Sequence, residues 1–255
     1  MEWSDDGIIL GARAHGENHA VAEIFTPGHG RWAGLVYGGQ GRRMQPVLQS
    51  GNGVKADWKG RLADSLGHFS LELTAPRAAA AMQDRLALAG LSAACAVASA
   101  CLPEREAHPR AWHAMAVLLD AFDSPDVWPA LMARWELGLL AEVGFGLTLD
   151  RCAASGAREN LVYVSPRSAS AVSAEAGEPY KDKLLRLPAF LRDGAAEATA
   201  ADALDALTLT GYFIETRILH LSDKQLPEAR RNVAALLAQQ AACENQTSSE
   251  RPIVT

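Results

Sequence analysis

RWELGLLAEVGFGLTLDRCAASG, residues 134–156, is the stretch on which the reading of the chain turns. Leu131, Trp135, Leu139 and Val143 recur every fourth position, with Leu140 beside them. That period predicts a helix, starting near Pro129, whose apolar stripe lies in a core and is flanked by Glu136 and Glu142. Gly144 and Gly146 follow; glycine takes positive φ without a Cβ penalty, so both are expected to turn the chain out of the helix. Cys152 then stands in C-A-A-S-G, the outline of half a zinc knuckle.

A chain of 255 residues has room for one large or two to three small domains and can bury a substantial core. Its 49% hydrophobic and 21% charged content are ordinary globular values. The net charge of −6 excludes a protein that coats nucleic acid over its whole surface, but it permits a local basic patch, because binding follows the field at the site. Cys95, Cys101, Cys152 and Cys243 are widely scattered and form no C-x-x-C, which excludes a disulfide framework and a complete cysteine zinc site and fits a reducing compartment. The N-terminus, MEWSDDGIIL, is acidic where a signal peptide is basic, and no apolar run reaches the ~18 residues of a membrane helix. A soluble, cytoplasmic protein is expected.

Upstream of residue 76 the pattern is β. GIILGA (7–12) and AVAEIF (20–25) are short apolar runs separated by a polar turn, and PGHG (27–30) precedes RWAGLVY (31–37). Residues 47–58 make a glycine-weakened strand, and LGHFSLEL (66–73) alternates. Five short strands in residues 1–75 suit a small closed barrel; an OB-fold is the commonest, and an SH3-like barrel fits the same periodicity. After Pro76 the texture becomes helical, with helices expected over 77–101 and 108–122 and then in the organising stretch, so that 76–150 forms a helical domain. Residues 151–195 read as irregular, with a short strand at 161–164 and a loop over 165–179. Further helices are expected over 199–221 and 226–242, within a C-terminal segment 196–243, ahead of a disordered tail at 244–255. The fold class is therefore α+β.

Residues 31–61 concentrate charge: Arg31, Arg42, Arg43, Lys55, Lys59 and Arg61 stand against one acid, Asp57. Trp32, Tyr37 and Trp58 are interleaved with them. Cations that track phosphates and aromatics that stack on bases are the composition of a single-strand groove; a solvated loop face over two core tryptophans has the same composition. The run Gly38-Gly39-Gln40-Gly41-Arg42-Arg43 lacks the G-x-x-x-x-G-K-[ST] pattern and reads as a flexible barrel loop able to approach a backbone closely. His15 and His19 flank a turn and do not match H-E-x-x-H, so no metal pair is expected there. Cys152 with Ser155 supplies one soft ligand, and Ser173 is too weakly acidic to add another, so the knuckle reads as one that has lost its metal. No cofactor is expected, and no nucleophile elbow, carboxylate pair or dinucleotide fingerprint marks an enzyme.

In their order and spacing these motifs resemble the bacterial recombination mediator family RecO. GIILGARAHGEN (7–18) is similar to the family's opening strand and R-x-x-G-E turn, FTPGHGR (25–31) to its F-T-x-x-x-G-[RK], and Gln45-Pro46 to its Q-P. Residues 134–156 are similar to its core helix and C-x-x-C-G-type turn. The resemblance covers most of the chain and implies an N-terminal OB-fold, a helical domain and a degenerate zinc-knuckle-like region. It implies binding of single- and double-stranded DNA, annealing of complementary strands and help in loading the recombinase. The partners implied are the C-terminal tail of the single-stranded DNA-binding protein SSB and the mediator RecR. Where the family's loop after the third strand often reads K-G-A-R, this chain has Tyr37-Gly38-Gly39-Gln40, with charge displaced to Arg42 and Arg43.

An acidic SSB tail needs an apolar groove edged by cations, and Arg134 beside Trp135 is the candidate; pairing of Arg134 with a neighbouring carboxylate is the alternative. Lys181, Lys183 and Arg186 either extend a DNA surface or solvate a helix. Two other classes stay open: a helical adaptor that docks peptides without meeting nucleic acid, and a hydrolase with dispersed catalytic residues. Salt-sensitive DNA binding separates the mediator from the adaptor.

Overall fold

The computed structural model describes residues 1–62 and 65–249, which form two compact units, residues 1–125 and 126–249. In the first, β1 (Glu2–His15), β2 (His19–Thr26), β3 (Gly30–Val36), β4 (Gly53–Lys59) and β5 (His68–Ala75) close a barrel in the order β1-β2-β3-β5-β4. The long β1 pairs with β4 through Ile8 and with β2 from Ile8 onward, with a bulge between Ile9 and Gly11 where it changes partner. The barrel is the OB-like, five-stranded arrangement expected from residues 1–75. Its interior holds Ile9, Ala22, Ile24, Ala56, Trp58 and Phe69. Small residues make room for large ones: a Cβ on Gly34 would lie 2.5 Å from the Phe69 ring.

Helices α1 (Arg77–Ala81), α2 (Arg85–Cys101) and α3 (Pro109–Asp120) belong to this same unit. One helix was expected over 77–101; the structure breaks it at Asp84, whose carboxylate accepts from the N–H groups of Leu86 and Ala87 and starts α2 afresh. The run Gly7–Leu10 is buried throughout because β1 is covered on both sides. Ile9 points into the barrel, while Ile8 and Leu10 lie outside its interior cluster, toward α2. The Cys95 thiol meets the Ile9 carbonyl at 3.7 Å, Trp112 Nε1 donates to the Phe25 carbonyl at 2.9 Å, and Ser99 donates to Glu23 at 2.6 Å. Asn52 ties the barrel to α1 by accepting from the Ala78 N–H. The connection between α2 and α3 runs along the start of β3, where Arg105 N–H donates to the Arg31 carbonyl. Gly30, at φ +70°, makes this possible, since a Cβ there would sit 1.9 Å from the Glu106 carbonyl oxygen.

The first compact unit thus runs to residue 125 and takes in the helices that follow the change of sequence texture after residue 75. A chain cut after Pro76 would expose Ile8, Leu10, Val21 and Phe25 to water at roughly 1.5–3 kcal/mol for each fully buried side chain. It is expected to aggregate or melt without cooperativity, whereas a chain cut after Pro125 is expected to give a single cooperative transition by circular dichroism.

The second unit is built on α4 (Trp128–Glu142), β6 (Leu161–Ser165), β7 (Ser170–Ser173), α5 (Ala174–Gly177), β8 (Leu185–Arg186), α6 (Ala200–Phe213) and α7 (Glu228–Ser249). α4 is the organising helix, with Trp135, Leu139 and Leu140 buried and Leu131 and Val143 half-buried. Of its two terminal glycines only Gly144 takes positive φ (+89°); Gly146 does not. The segment 165–179, expected as loop, contains β7 and α5, and β6 pairs with both β7 and β8 in a three-stranded sheet among the described residues. The helix expected over 199–221 starts at a Thr199–Asp202 capping box and passes through a π turn at Ile214–Ile218 before a 3₁₀ turn ends it. α7 runs to Ser249, beyond the helix end expected at 242, so the first part of the tail expected to be disordered at 244–255 is helical; the rest of that tail lies outside the described residues.

Glu136 does not flank the apolar stripe. It is fully buried and receives Arg230 of α7 through Nε at 2.5 Å and Nη2 at 2.9 Å, and the Thr210 hydroxyl of α6 at 2.5 Å. Arg230 Nη2 also donates to the Leu207 carbonyl at 2.8 Å. A two-pronged, fully satisfied pair of this kind joins three helices in a dry interior. Replacing Glu136 with alanine leaves Arg230 charged and buried, and should cost about 3–5 kcal/mol by urea denaturation. A Glu136→Leu/Arg230→Met double variant should recover much of that loss.

Candidate nucleic-acid interface

The basic stretch does not fold into a continuous cationic track. Arg31 lies at the foot of β3 with its side chain only 16% exposed; it donates to the Leu102 carbonyl at 2.9 Å and pairs with Glu23 and Glu104. Its work is to hold the α2–α3 connection to the barrel. Lys55 pairs with Asp6 at 3.3 Å and stands opposite Glu72, and Lys59 pairs with Glu2 at 3.1 Å. Such exposed pairs are weak, yet the acids of β1 and β5 still cancel the field that the lysines of β4 would present. Sequence counting missed them because they lie outside residues 31–61.

Two of the three aromatics are core. Trp58 is fully buried, with its indole N–H donated to the Leu66 carbonyl, and Trp32 is 9% exposed beneath the Arg105 guanidinium, 4.7 Å from its ring. Trp32 is therefore not placed to stack on a base. Tyr37 is different: it follows β3 and is 60% exposed. The His19 ring meets it edge-on at 5.3 Å and the His68 ring at 5.5 Å. Three loops converge here. His19 ends the β1–β2 turn, Tyr37 opens the β3–β4 loop, and His68 ends the β4–β5 loop because β3 and β5 pair in parallel at Leu35–His68. Gly38 N–H donates to His19 Nδ1 at 3.3 Å, and Gln40 Nε2 donates to the carbonyls of Gly16 at 2.8 Å and His19 at 3.2 Å.

Arg42 and Arg43 continue from this rim. Both are exposed, and neither forms an ion pair among the described residues. Arg61, also exposed, opens the β4–β5 loop. On the outer face of β2 and β3, the usual ligand face of an OB barrel, the helical segment covers β2 and the foot of β3 through Ser99, Leu102 and Trp112, while Ala33 and Leu35 of β3 stay half-buried. The rim is more open. His19 and His68 were not singled out as binding residues from sequence; HGENH drew attention only as a metal pair, and the nearness of His68 to Tyr37 is created by strand pairing.

In the second unit Arg134 uses Nη2 to reach the carbonyls of Phe190, Asp193 and Gly194 at 2.8–3.3 Å, and its guanidinium lies 5.5 Å from the Phe190 ring. It pairs with carbonyls and not with a carboxylate. Trp135, 4% exposed, is core and offers a peptide no surface. Lys181 pairs with Glu178, Lys183 closes a 3₁₀ turn, and Arg186 lies over Tyr163, so this group does not sit on a helix face.

The knuckle positions hold one thiol. Cys152 Sγ accepts the Ser173 N–H at 3.3 Å, and its partners Ser155 and Ser173 bring no second soft donor. A zinc ion does not fit this donor set, and among the described residues no cluster of three or more His, Cys, Asp or Glu could hold a metal. Arginine-to-carbonyl contacts organise the region: Arg192 donates to Leu149 and Arg158, and Arg217 to Pro166 and Arg167. Burial raises the Cys152 pKa, but hydrogen bonds from Ser155 and Ser173 outweigh it and bring the thiol down to about 6; at Cys95 burial outweighs the lowering by the Gly51 backbone and the Arg77 charge and pushes the thiol up to about 12. A depressed acid stabilises the fold above its unfolded pKa, near 9, and that contribution is lost as pH falls toward 6. Stability should therefore rise between those values in the wild type more than in Cys152→Ser, as read by urea melts across the range.

The fold and rim define a class: a barrel of OB type fused to helices, with an open, cation-bearing loop edge and no helix long and apolar enough to cross a membrane among the described residues. Residues 1–77 match the family model described as Recombination protein O N terminal, and residues 82–227 match Recombination protein O C terminal. The chain is 50% identical to the DNA repair protein RecO of Rhodospirillum centenum over 232 residues, covering 90% of this chain and 92% of that protein. It is 50% identical to the same-named protein of Methylobacterium nodulans over 92% of this chain and 98% of the relative, and 49% identical to that of Phenylobacterium zucineum over 90% and 95%. The chain belongs to the RecO family of DNA repair and recombination proteins.

Proposed function

We propose that this chain is a non-catalytic recombination mediator of the cytoplasm. It binds single- and double-stranded DNA, anneals complementary strands, and acts with RecR on SSB-coated DNA to help load the recombinase. The observation that carries the reading is the pair Arg42–Arg43, exposed and without carboxylate partners among the described residues, on the rim that also presents Tyr37. In a chain of net charge −6, arginines left uncompensated while Arg31, Lys55 and Lys59 are paired create the local positive field that phosphates need. The family's printed names, DNA repair protein and recombination protein, support the same reading. The SSB tail and RecR enter as partners through the family resemblance. With Arg134 engaged by carbonyls and Trp135 in the core, the SSB tail has to dock elsewhere.

Fluorescence anisotropy of a labelled single-stranded oligonucleotide, titrated at low and moderate salt, tests this. Binding should weaken steeply with salt, and an Arg42→Ala/Arg43→Ala variant should bind more weakly, with a slope of log K against log salt shallower by about 0.7 for each phosphate contact removed. Flat anisotropy at low salt would overturn the DNA reading and favour the peptide-docking adaptor.

A further inference from the structure

We propose that Tyr37, held between His19 and His68, is a base-stacking platform that confers preference for single strands, while Arg42 and Arg43 hold phosphates of either form. The inference rests on the DNA-binding reading above and assigns its two chemistries to different residues. Stacking needs an aromatic ring that is exposed yet fixed. Tyr37 is 60% exposed, whereas the barrel's Trp32 and Trp58 are buried. Its ring is braced by two imidazoles from two other loops, at 5.3 and 5.5 Å. His19 is itself fixed through Nδ1 by the Gly38 N–H, and a neutral ring that accepts at Nδ1 carries its proton on Nε2. A Cβ on Gly38, the residue after Tyr37, would meet open space. The acid of the neighbouring turn is Glu17, also exposed; it does not pair with Arg42 or Arg43.

Other exposed aromatic rings do not offer this combination. Tyr180 lies on a 3₁₀ turn beside the Glu178–Lys181 pair, and Tyr212, 38% exposed, leans on Phe213. Neither adjoins two unpaired arginines. Duplex DNA keeps its bases stacked on one another and cannot offer a face to Tyr37; an unpaired strand can. Stacking engages the π-face of a base and leaves its Watson–Crick edge free. A strand held in this way remains available for pairing with its complement, which is the geometry annealing requires.

The test compares oligo(dT), a duplex and an abasic strand of equal length by anisotropy at one fixed salt concentration. Tyr37→Ala should weaken oligo(dT) binding about 5- to 150-fold, the range that one base–aromatic stack supplies, and leave duplex affinity unchanged. Tyr37→Phe, which keeps the ring, should bind like the wild type, and the wild type should bind the abasic strand as weakly as Tyr37→Ala binds oligo(dT). Thermal melting checks that the exposed substitution leaves the fold intact. Equal oligo(dT) affinity of Tyr37→Ala and wild type, or equal losses on duplex and single strand, would overturn the platform while the DNA reading stands. Wild-type protein that binds none of the three at low salt would overturn the DNA reading itself.

Discussion

A small barrel has an inside and an outside, and in this chain β1 and β2 bury both. Ile9, Ala22 and Ile24 fill the interior while Ile8, Leu10, Val21 and Phe25 meet the outside of the barrel under the helices. The rest of the first unit follows from that double burial. It explains the uninterrupted apolar run at the start of the chain, since a strand covered on both faces has no polar alternation to show. It makes α2 and α3 part of the barrel's own stability. It also covers the β2 half of the β2–β3 face, which narrows the surface a ligand would cross in a bare barrel and favours the loops at the rim. The location of the candidate interface is thus a consequence of hydrophobic burial before it is a matter of charge.

The second unit meets a different requirement: it must order some fifty residues of short strands and turns between α4 and α6 with little core of their own and without the metal that a full knuckle would use. Guanidinium groups supply the cross-links. Arg134, Arg192 and Arg217 each reach two or more main-chain carbonyls of the turns and connections around the short sheet. The planar fork of arginine suits this role because it presents several donors from one fixed head group. Glu136 and Arg230 do the corresponding work between helices. A buried ion pair of this quality adds little net stability over a well-packed apolar pair, but it penalises any other rotation of α7, which would strand a charge in the core.

The sequence displayed those features that depend on local pattern and hid those that depend on pairing. Short apolar runs bounded by turns marked β1, β2 and β3, an alternating run marked β5, and the period of α4 was plain. β7 was invisible because Ser170–Ser173 is made of small residues whose hydropathy hardly alternates. Glu136 looked like a boundary residue because its counterion is 94 positions away. The charge excess of residues 31–61 was real along the chain but is cancelled in space at Arg31, Lys55 and Lys59, where Glu23, Asp6, Glu72 and Glu2 come alongside. Tyr37 was legible as an aromatic among cations, but its two imidazole neighbours belong to loops that only the barrel closure brings together.

The loop after β3 shows what the chain has in place of basic residues at positions 37–40. Gln40 spends its amide on the carbonyls of Gly16 and His19, its own N–H goes to the Asn18 carbonyl at 3.3 Å, and its carbonyl receives the Gln45 side chain at 3.0 Å. One uncharged residue therefore joins the β1–β2 turn to the β3–β4 loop. A lysine in its place would keep the two backbone bonds and add a positive charge, but would have to reach the two carbonyls with Nζ on a longer, more flexible stem. Ordering a loop on binding costs free energy that a loop already ordered does not lose again. On the proposed DNA reading, the displaced charge at Arg42 and Arg43 is presented from a loop that these bonds hold in place, so fewer cations would serve a bound strand.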